Sequence, residues 1–298
     1  MTRRPRVLVI GDVMRDIVVM SAGEMRRGSD VNASIRIVPG GQGANQARWL
    51  AHQQVAVTLV ARVGAGDHQS ISAELSLYGV DALLADDPEL PTGTLINLSE
   101  PGRERSFFTD RGANKNLAIE DVRAADLPRA DLVLLSAYVM FSETGRRTAK
   151  QTIAWAQKAG VRIAVDAASA GYISDLGVSQ FLSLTAGVDL LLANAQEAQL
   201  LSGAENPVEQ VERLLGNYPQ VVIKQGAKGA IASAPDGGII SCAAEPTACV
   251  DSTGAGDAFA AGFLSARLNG KLLADGLAAG NRAAALAISR VGGGPQPS

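Results

Sequence analysis

Short apolar segments rich in valine, leucine and isoleucine alternate along this chain with segments of helical periodicity. The apolar segments predict strands at Arg6–Ile10, Val57–Val60, Asp131–Ser136, Arg162–Asp166, Asp189–Ala193 and Val221–Lys224. The periodic segments predict helices at Ala44–His52, Gln69–Tyr78, Thr144–Ala159, Gly256–Asn269 and Ala274–Arg290. Strands without polar alternation are buried on both faces, so the pattern indicates an α/β fold with a central, mainly parallel sheet flanked by helices. Ligands bind such sheets outside the carboxyl ends of the strands.

Two segments interrupt this alternation. Ile17–Pro39 holds extended runs around a polar, glycine-containing stretch, and Thr92–Thr109 has the pattern of a hairpin with a turn at Pro101-Gly102. We expect these segments to form a small separate β-sheet that acts as a lid, made of about residues 13–38 and 92–112. Because no repeat or interdomain linker is evident, residues 1–298 are predicted to be a single domain.

Charge and cysteine content exclude several classes of protein. A formal net charge of −3 does not suit a nucleic-acid or anionic-membrane partner. The apolar run Val7–Ile10 is too short for a signal peptide, and no stretch is long enough to span a bilayer. Cys242 and Cys249 form no Cys-x-x-Cys pair, so we expect reduced thiols in a cytoplasmic protein. The only histidines, His52 and His68, do not predict a zinc site.

The most informative motif is the segment DSTGAGDAF at positions 251–259, which leads directly into a predicted helix. Gly254, Ala255 and Gly256 would let backbone N–H groups converge on an anion, and the helix dipole adds partial positive charge. A carboxylate there repels a bound phosphate, so Asp257 makes sense as a base that deprotonates a nucleophile facing a phosphoryl group. The simpler interpretation is that Asp257 caps the helix.

Two further motifs also have a functional and a structural interpretation. The glycine turn at positions 40–47 could bring backbone close to a ligand, with Asn45 bonding hydroxyls, or it could be a plain strand-to-helix turn. In Asn194-Ala195-Gln196-Glu197, which follows a predicted strand, Glu197 could hold a hydrated Mg²⁺. The same spacing also fits a capping box, and on spacing alone the capping box is favoured.

The motifs of several other enzyme classes are absent from the sequence. No G-x-x-x-x-G-K-[ST] segment is present, so the chain is not a P-loop enzyme. No Gly-x-Gly continues into the dinucleotide fingerprint, which argues against a dehydrogenase. No G-x-S-x-G nucleophile elbow occurs either.

The segments at 40–47 and 251–263 resemble the two signatures of the ribokinase family (PfkB-type carbohydrate kinases), in the expected order and spacing across essentially the whole chain. The resemblance implies a ribokinase-like fold and an ATP-dependent kinase that phosphorylates a hydroxymethyl group of a small carbohydrate. It implies that Asp257 is the catalytic base and that Gly254, Ala255 and Gly256 form the anion hole. Asp16 would hold substrate hydroxyls together with Gly41, Gln42 and Asn45.

The resemblance also implies nucleotide and cation sites. The positions that match nucleotide-binding residues are Asn194, Lys224, Gly226, Gly229 and Asn281. Glu197 would contact Mg²⁺ through water, and Asp251, with the loop at 289–292, matches a site for K⁺. A lid sheet with one apolar face could also pair with a second copy of the chain, as in related kinases.

Some positions depart from the family pattern and bear on the substrate. Met14 stands where ribokinases carry Asn, Gln42 stands where they carry Lys, and Tyr138 lies in the segment that replaces a sugar-binding Glu. Ribose itself is therefore not expected. The alternative within the fold is a nucleoside or pseudouridine kinase, although aromatic residues make up only 4% of the chain. A non-catalytic binding protein of the same fold would not need an acid at position 257.

The sequence also allows predictions for individual side chains in and near the predicted lid. By strand alternation, one of Phe107 and Phe108 should pack inward. Arg15 and Arg111 could meet a carboxylate or phosphate on the substrate. Otherwise, the charged residues Arg103, Arg105 and Arg111, with Glu104 and Asp110, are expected to form a solvated, salt-bridged edge.

Overall fold

The computed structural model describes residues 3–25, 27–99, 106–234, 237–290, 292 and 294–297. The strands are β1 (Arg6–Ile10), β2 (Met14–Ser21), β3 (Ala33–Gly40), β4 (Ala56–Gly64), β5 (Val80–Asp87), β6 (Gly93–Ser99), β7 (Ser106–Asp110), β8 (Leu132–Ser136), β9 (Arg162–Asp166), β10 (Leu190–Asn194), β11 (Gln220–Lys224), β12 (Ala230–Ser233) and β13 (Ile239–Cys242). The α-helices are α1 (Gln42–His52), α2 (His68–Ser76), α3 (Ile119–Arg123), α4 (Glu143–Ala159), α5 (Ala170–Leu176), α6 (Val178–Leu184), α7 (Ala195–Ser202), α8 (Pro207–Leu214), α9 (Ala255–Leu268) and α10 (Leu273–Ile288).

A large sheet of nine strands in the order β13-β12-β11-β10-β9-β8-β1-β4-β5 forms the centre of the molecule. Its strands are parallel except at the β11–β12 and β12–β13 pairs. The predicted α/β fold with a mainly parallel sheet is therefore confirmed. Strands β5, β12 and β13 were not predicted. The inner residues of β5 are only partly covered at the sheet edge, so its sequence lacks the apolar run of the central strands.

Both faces of the large sheet are buried. Ile10 and Leu135 pack into the core on the side of α4 and α7, whereas their neighbours Val9 and Leu134 pack into the core on the side of α1, α9 and α10. All four side chains are fully buried. Burying a side chain of this size contributes about 1.5–3 kcal/mol. This two-sided burial explains why the central strands have uninterrupted apolar sequences.

A small sheet of four strands, in the order β3-β2-β6-β7, stands apart from the large one. Strand β2 is antiparallel to β3 and parallel to β6, and β6 and β7 form the predicted hairpin. The predicted turn at Pro101-Gly102 and residues 103–105 of the predicted charged edge lie outside the described residues. For Arg111 the predicted solvated edge is wrong, because its side chain is 7% exposed and lines a cavity. The inward packing expected for Phe107 or Phe108 is wrong: they are 56% and 62% exposed, because β7 is an edge strand with all its residues exposed.

One row of apolar side chains crosses the small sheet. Ile37, Ile17, Ile96 and Phe108 lie side by side in the strand register, and this face is opposite to the one that carries Asp16. In the described part of the chain, no helix has the length and apolar character needed to cross a membrane.

Candidate active site

A cavity of about 450 Å³ opens at the carboxyl ends of the large-sheet strands, between that sheet and the small one. The predicted site residues that line it are Asp16, Gly41, Gln42, Asn45, Asn194, Glu197, Lys224, Gly226, Gly229, Gly254, Ala255, Gly256, Asp257 and Asn281. The structure thus brings together nearly every residue selected from the sequence, in the place expected for a parallel sheet. Asp251 is the exception, since it does not line the cavity.

Asp257 is the third residue of α9, directly after the positive-φ turn at Gly254 (φ 72°). No side chain caps this helix; Asp257 Oδ2 instead accepts a hydrogen bond of 3.1 Å from Asn45 Nδ2 in α1. The capping interpretation therefore has no support in the geometry. The carboxylate faces the cavity beside the first N–H groups of α9, where the helix dipole favours negative charge.

The surroundings of Asp257 set its protonation. Its carboxylate opens onto the cavity but is surrounded by protein, and this desolvation raises its pKa to about 8. The negative charges of Asp166 and Asp12 raise the pKa further, whereas Lys224 and the hydrogen bond from Asn45 oppose the shift. A carboxyl with its pKa near neutral pH can both take and release a proton, as a general base must.

The amide of Asn45 is oriented by a buried arginine. Arg48 is 2% exposed, and its Nη2 donates to Asn45 Oδ1 and, at 3.1 Å, to the carbonyl of Pro39 at the end of β3. Since a guanidinium can only donate, it contacts the amide oxygen and leaves Nδ2 of Asn45 to face Asp257. Sequence reasoning did not select Arg48, because its partners are known only from the folded helix.

An ion pair of Asp166 and Lys224 lines the cavity. Asp166, 1% exposed at the end of β9, accepts hydrogen bonds of 3.0 Å from Lys224 Nζ at both carboxylate oxygens. Gln46 Nε2 donates to Asp166 as well, at 3.0 Å. Burial alone would lower the pKa of Lys224, but the carboxylates of Asp166 and Glu197 outweigh it and hold the pKa above its usual value. Asp166 was missed, although its position at the carboxyl end of a predicted strand was a usable signal.

Asp16 lies on the cavity face of β2. It is 7% exposed, and its Oδ1 has no hydrogen-bond partner among the described residues. Burial and the nearby charge of Asp12 raise its pKa to about 7, against the opposing charge of Arg48. Gly40 must be glycine, because a Cβ there would lie 2.1 Å from the Asp16 carboxyl carbon.

Asp12 is the second residue after β1 and was also missed from the sequence. Its Oδ1 accepts a 3.0 Å hydrogen bond from the Gly43 N–H, which joins the end of β1 to the start of α1. Gly41 makes this approach possible: it has φ 93°, and a Cβ would lie 2.7 Å from the Asp12 carbonyl oxygen. Gln42 faces the end of β8, where it accepts a 2.6 Å hydrogen bond from Ser136.

Asn194 and Glu197 form the capping box that their spacing favoured. Asn194 Oδ1 accepts from the Glu197 N–H at 2.9 Å, and Glu197 accepts from the N–H and Nδ2 of Asn194, each at 2.7 Å. Glu197 is 1% exposed yet contributes to the cavity wall. Burial raises its pKa to about 7, with Lys224 opposing and Asp166 adding to the shift. Glu197 therefore has a structural role in the capping box. Contact with a ligand would use only the carboxylate lone pairs of Glu197 that the capping box leaves unused.

Asn281 and Asp251 both hold backbone segments together. Asn281 Nδ2 donates to the carbonyls of Cys242 and Ala243, at 3.1 and 2.9 Å, and so ties α10 to the end of β13. Asp251 accepts from the N–H groups of Thr253 and Gly292, at 2.9 and 3.0 Å. The loop at 289–292 is thereby joined to the turn before α9, but Val291, part of the predicted K⁺ site, lies outside the described residues.

Two aromatic side chains and an arginine also line the cavity. Tyr138 and Tyr172 line it with their ring centroids 5.8 Å apart and their planes nearly perpendicular. Arg111 Cζ lies 4.7 Å from the centroid of the Tyr138 ring, and Nη2 is 3.7 Å from Asp12 Oδ2. Of the two arginines considered from the sequence, only Arg111 lines the cavity, since Arg15 pairs with Asp67.

Comparisons with known proteins agree with the resemblance found in the sequence. The family model described as pfkB family carbohydrate kinase matches residues 4–298. Ribokinase from Haemophilus influenzae is 27% identical over 303 residues, covering 97% of this chain and 94% of that protein.

Solved structures share the fold. Adenosine kinase from Sinorhizobium meliloti superposes with a TM-score of 0.87 at 22% identity, covering 98% of this chain and 96% of that one. Ribokinase from Arabidopsis thaliana, in complex with ribose and ATP, superposes with a TM-score of 0.79 at 24% identity, covering 97% and 94% of the two chains. Identities this low show the common fold and leave the substrate open.

Proposed function

The chain belongs to the pfkB family of carbohydrate kinases, and from this premise we propose that it transfers the γ-phosphate of ATP to a hydroxymethyl group of a small carbohydrate, with Asp257 as the base. At the family level it is a sugar or nucleoside kinase, a phosphotransferase that uses ATP and an alcohol acceptor. The observation that carries the finer proposal is the Asp257 carboxylate, held by Asn45 at the N-terminus of α9 and facing the cavity.

The proposed step divides the cavity into two halves. In the acceptor half, Asp16, Gly41, Gln42 and Asn45 would hold the carbohydrate hydroxyls. Asp257 would take the proton as the acceptor oxygen forms its bond to the γ-phosphorus and the bond to the ADP oxygen breaks. The N–H groups of Gly254, Ala255 and Gly256 would face the negative charge that develops on the transferred group.

The nucleotide half would lie along the ends of β10 and β11. We assign the ATP contacts to Asn194, Lys224, Gly226, Gly229 and Asn281, which line that part of the cavity. The Lys224 ammonium stands close to the turn before Asp257: a Cβ on Gly256 would be 3.4 Å from its Nζ. Lys224 therefore carries the positive charge that is best placed to offset the negative charge of the phosphates.

The residues present fit a hydrated Mg²⁺. The carboxyl groups of Asp166, Glu197 and Asp257 interact with a single ammonium, that of Lys224, and a nearby divalent cation would favour their charged forms. Within the described residues, no group of three or more acidic, Cys or His side chains could bind a metal directly, so Glu197 would hold the ion through water. When bound with ATP, Mg²⁺ neutralises phosphate charge.

A K⁺ ion at Asp251 is a separate proposal. Asp251 accepts a backbone N–H at each carboxylate oxygen, from Thr253 and from Gly292, so its negative charge lies between the two loops that the cation would join. Because the carboxylate itself joins the two loops, K⁺ would add rigidity to a connection that already exists. Equal rates in K⁺ and in tetramethylammonium would remove this proposal.

A nucleoside or pseudouridine substrate is the second candidate, and one observation favours it. Tyr138 and Tyr172 both line the cavity, so the scarcity of aromatic residues in the whole chain is not reflected in the site. Stacked or edge contacts with a base ring are typical of such pairs. Their rings stand nearly perpendicular to each other, however, so they do not form a parallel sandwich.

We also propose that the small sheet is a lid, that the chain is cytoplasmic and that it forms a homodimer. The lid would close over the acceptor that Asp16 holds.

The apolar row of Ile37, Ile17, Ile96 and Phe108 would provide the dimer contact, and sedimentation would test whether the protein is a dimer. Cys242 and Cys249 are free thiols, which suits a reducing compartment that also supplies ATP.

The test is an ADP-release screen of purified protein with pentoses, hexoses, sugar acids, sugar phosphates and nucleosides. We expect turnover with at least one carbohydrate, dependent on Mg²⁺ and ATP. Preferential turnover of nucleosides would replace the first candidate by the second. No phosphorylation of any acceptor class by the folded protein would contradict both.

A further inference from the structure

Arg111 is a buried cation on the acceptor side of the cavity. It follows β7 and is 7% exposed, and its guanidinium lies between Asp12 and the face of Tyr138. Its Nη2 is buried, and within the described residues it has no hydrogen-bond partner. The nearest carboxylate oxygen, Asp12 Oδ2, is 3.7 Å away, which is too far for a hydrogen bond.

Two other arginines with little exposure show what is unusual about Arg111. Arg62 bonds the carboxylates of Asp87 and Asp121, and Arg48 bonds three acceptors around the start of α1. Proteins rarely leave such a donor unsatisfied, because it has been removed from water without compensation. Because Arg111 lines the substrate cavity, a ligand group bound there is the missing partner.

We propose that Arg111 binds the carboxylate of a sugar acid, at the end of the acceptor opposite the hydroxymethyl group that Asp257 would deprotonate. This inference rests on the proposed kinase function. A linear sugar acid has a carboxylate at one end and a hydroxymethyl group at the other, and the cavity is lined by a residue suited to each, Arg111 and Asp257. The planar guanidinium matches a planar carboxylate, and the Tyr138 ring holds the guanidinium from one side.

The charges around Arg111 favour a carboxylate over a phosphate. Asp12 and Asp16 already place two acidic groups on the acceptor side, so a phosphate dianion would meet strong repulsion. A carboxylate brings a single charge, which Arg111 can match. Burial and Asp12 also raise the pKa of Asp16 to about 7, so that proton uptake at Asp16 can offset the added charge.

The test uses pairs of acceptors that differ mainly at one end. Gluconate is compared with glucitol, galactonate with galactitol, and ribonate with ribitol, by ADP release in wild type and in Arg111→Gln. We expect kcat/KM of the wild type to favour the acid in at least one pair. Arg111→Gln should lower kcat/KM for that acid by about 10²–10⁴-fold, because two charge-assisted hydrogen bonds are lost. The same variant should change kcat/KM for the matching alditol by less than about tenfold.

Two further variants separate recognition from folding. Arg111→Lys keeps the positive charge without the planar guanidinium, so we expect a loss of kcat/KM for the acid that lies between those of wild type and Arg111→Gln. Arg15→Gln is the matched control, because Arg15 pairs with Asp67 away from the cavity and should leave the acid-to-alditol ratio unchanged. Thermal midpoints of all variants show whether a loss reflects unfolding.

The outcomes distinguish this inference from the proposed function. Turnover that favours the alditol in every pair, or glucose 1-phosphate over every acid, would overturn the carboxylate assignment while the kinase proposal stands. Absence of turnover with all acceptors would contradict the kinase proposal. In that case calorimetric binding of gluconate, galactonate and ribonate decides: binding lost in Arg111→Gln supports the carboxylate site, and no binding overturns it.

Discussion

The large sheet and the small sheet contribute to one cavity but are built in opposite ways. Central side chains of the large sheet such as Leu134 are 0% exposed between two layers of helices. In the small sheet Ile35, Ile37 and Phe108 are 62%, 67% and 62% exposed. The first arrangement gives a rigid platform, and the second has little buried surface to resist movement. Asp257 and Lys224 stand on the platform, whereas Asp16 stands on the small sheet.

The largest expected effect is on the platform side of this comparison. Asp257→Asn should lower kcat by about 10²–10⁴-fold, because it removes positioned proton transfer, and should leave ATP affinity unchanged. Asp275→Asn is the matched control, since Asp275 is likewise the third residue of its helix but is exposed. Steady-state kinetics and nucleotide titration measure both variants. Wild-type turnover by folded Asp257→Asn would show that the base is elsewhere.

Stability should also differ between the sheets. Leu134→Ala should lower the free energy of unfolding by about 2–5 kcal/mol, because it opens a cavity between packed layers. Ile37→Ala should change the free energy of unfolding of the monomer by about 0.5 kcal/mol or less, because its side chain is mostly in solvent. Chemical denaturation at low protein concentration compares them. A similar loss for both would mean that the small sheet is as tightly integrated as the large one.

The buried residue Asp166 in the large sheet should influence how activity changes with pH. Asp257 must be unprotonated to act as a base, so kcat/KM should rise with pH through its pKa of about 8. In Asp166→Asn, a negative charge that raises this pKa is lost, and the acidic limb should move to lower pH. Gln46→Ala removes a neutral partner of Asp166 and should leave the limb in place. A uniform loss of rate at every pH in Asp166→Asn would indicate a purely structural role.

The smallest effect concerns motion alone. Without ligand, amides of β2, β3, β6 and β7 should exchange hydrogen faster than those of β1, β8 and β9. Exchange in the small sheet should slow when acceptor and a non-hydrolysable ATP analogue bind, because closure buries it. Mass spectrometry of exchanged peptides measures the difference. Unchanged exchange in the small sheet would argue against a closing lid.

The same contrast explains what sequence alone could predict. Strands covered on both faces have recognisable apolar runs, and turns that lead into helices have recognisable small residues, so the fold and the segments at 40–47 and 251–259 were found. The role of Asp166 was not found, because its partner Lys224 is 58 positions away in the chain. Alternation along β7 failed for Phe107 because that rule assumes a packed layer, which the small sheet lacks.

Arg48 connects the end of β3 in the small sheet to Asn45 on α1. One planar guanidinium donates both to the carbonyl of Pro39, at the end of β3, and to Asn45, whose amide touches Asp257. We therefore expect a shift of the strand end to change the orientation of the amide that holds the Asp257 carboxylate. Closure over a sugar would then set the base in place, and an open entrance would spare ATP from wasteful hydrolysis by water. We expect Arg48→Lys, which lacks the planar fork, to raise the ratio of ATP hydrolysis to sugar phosphorylation.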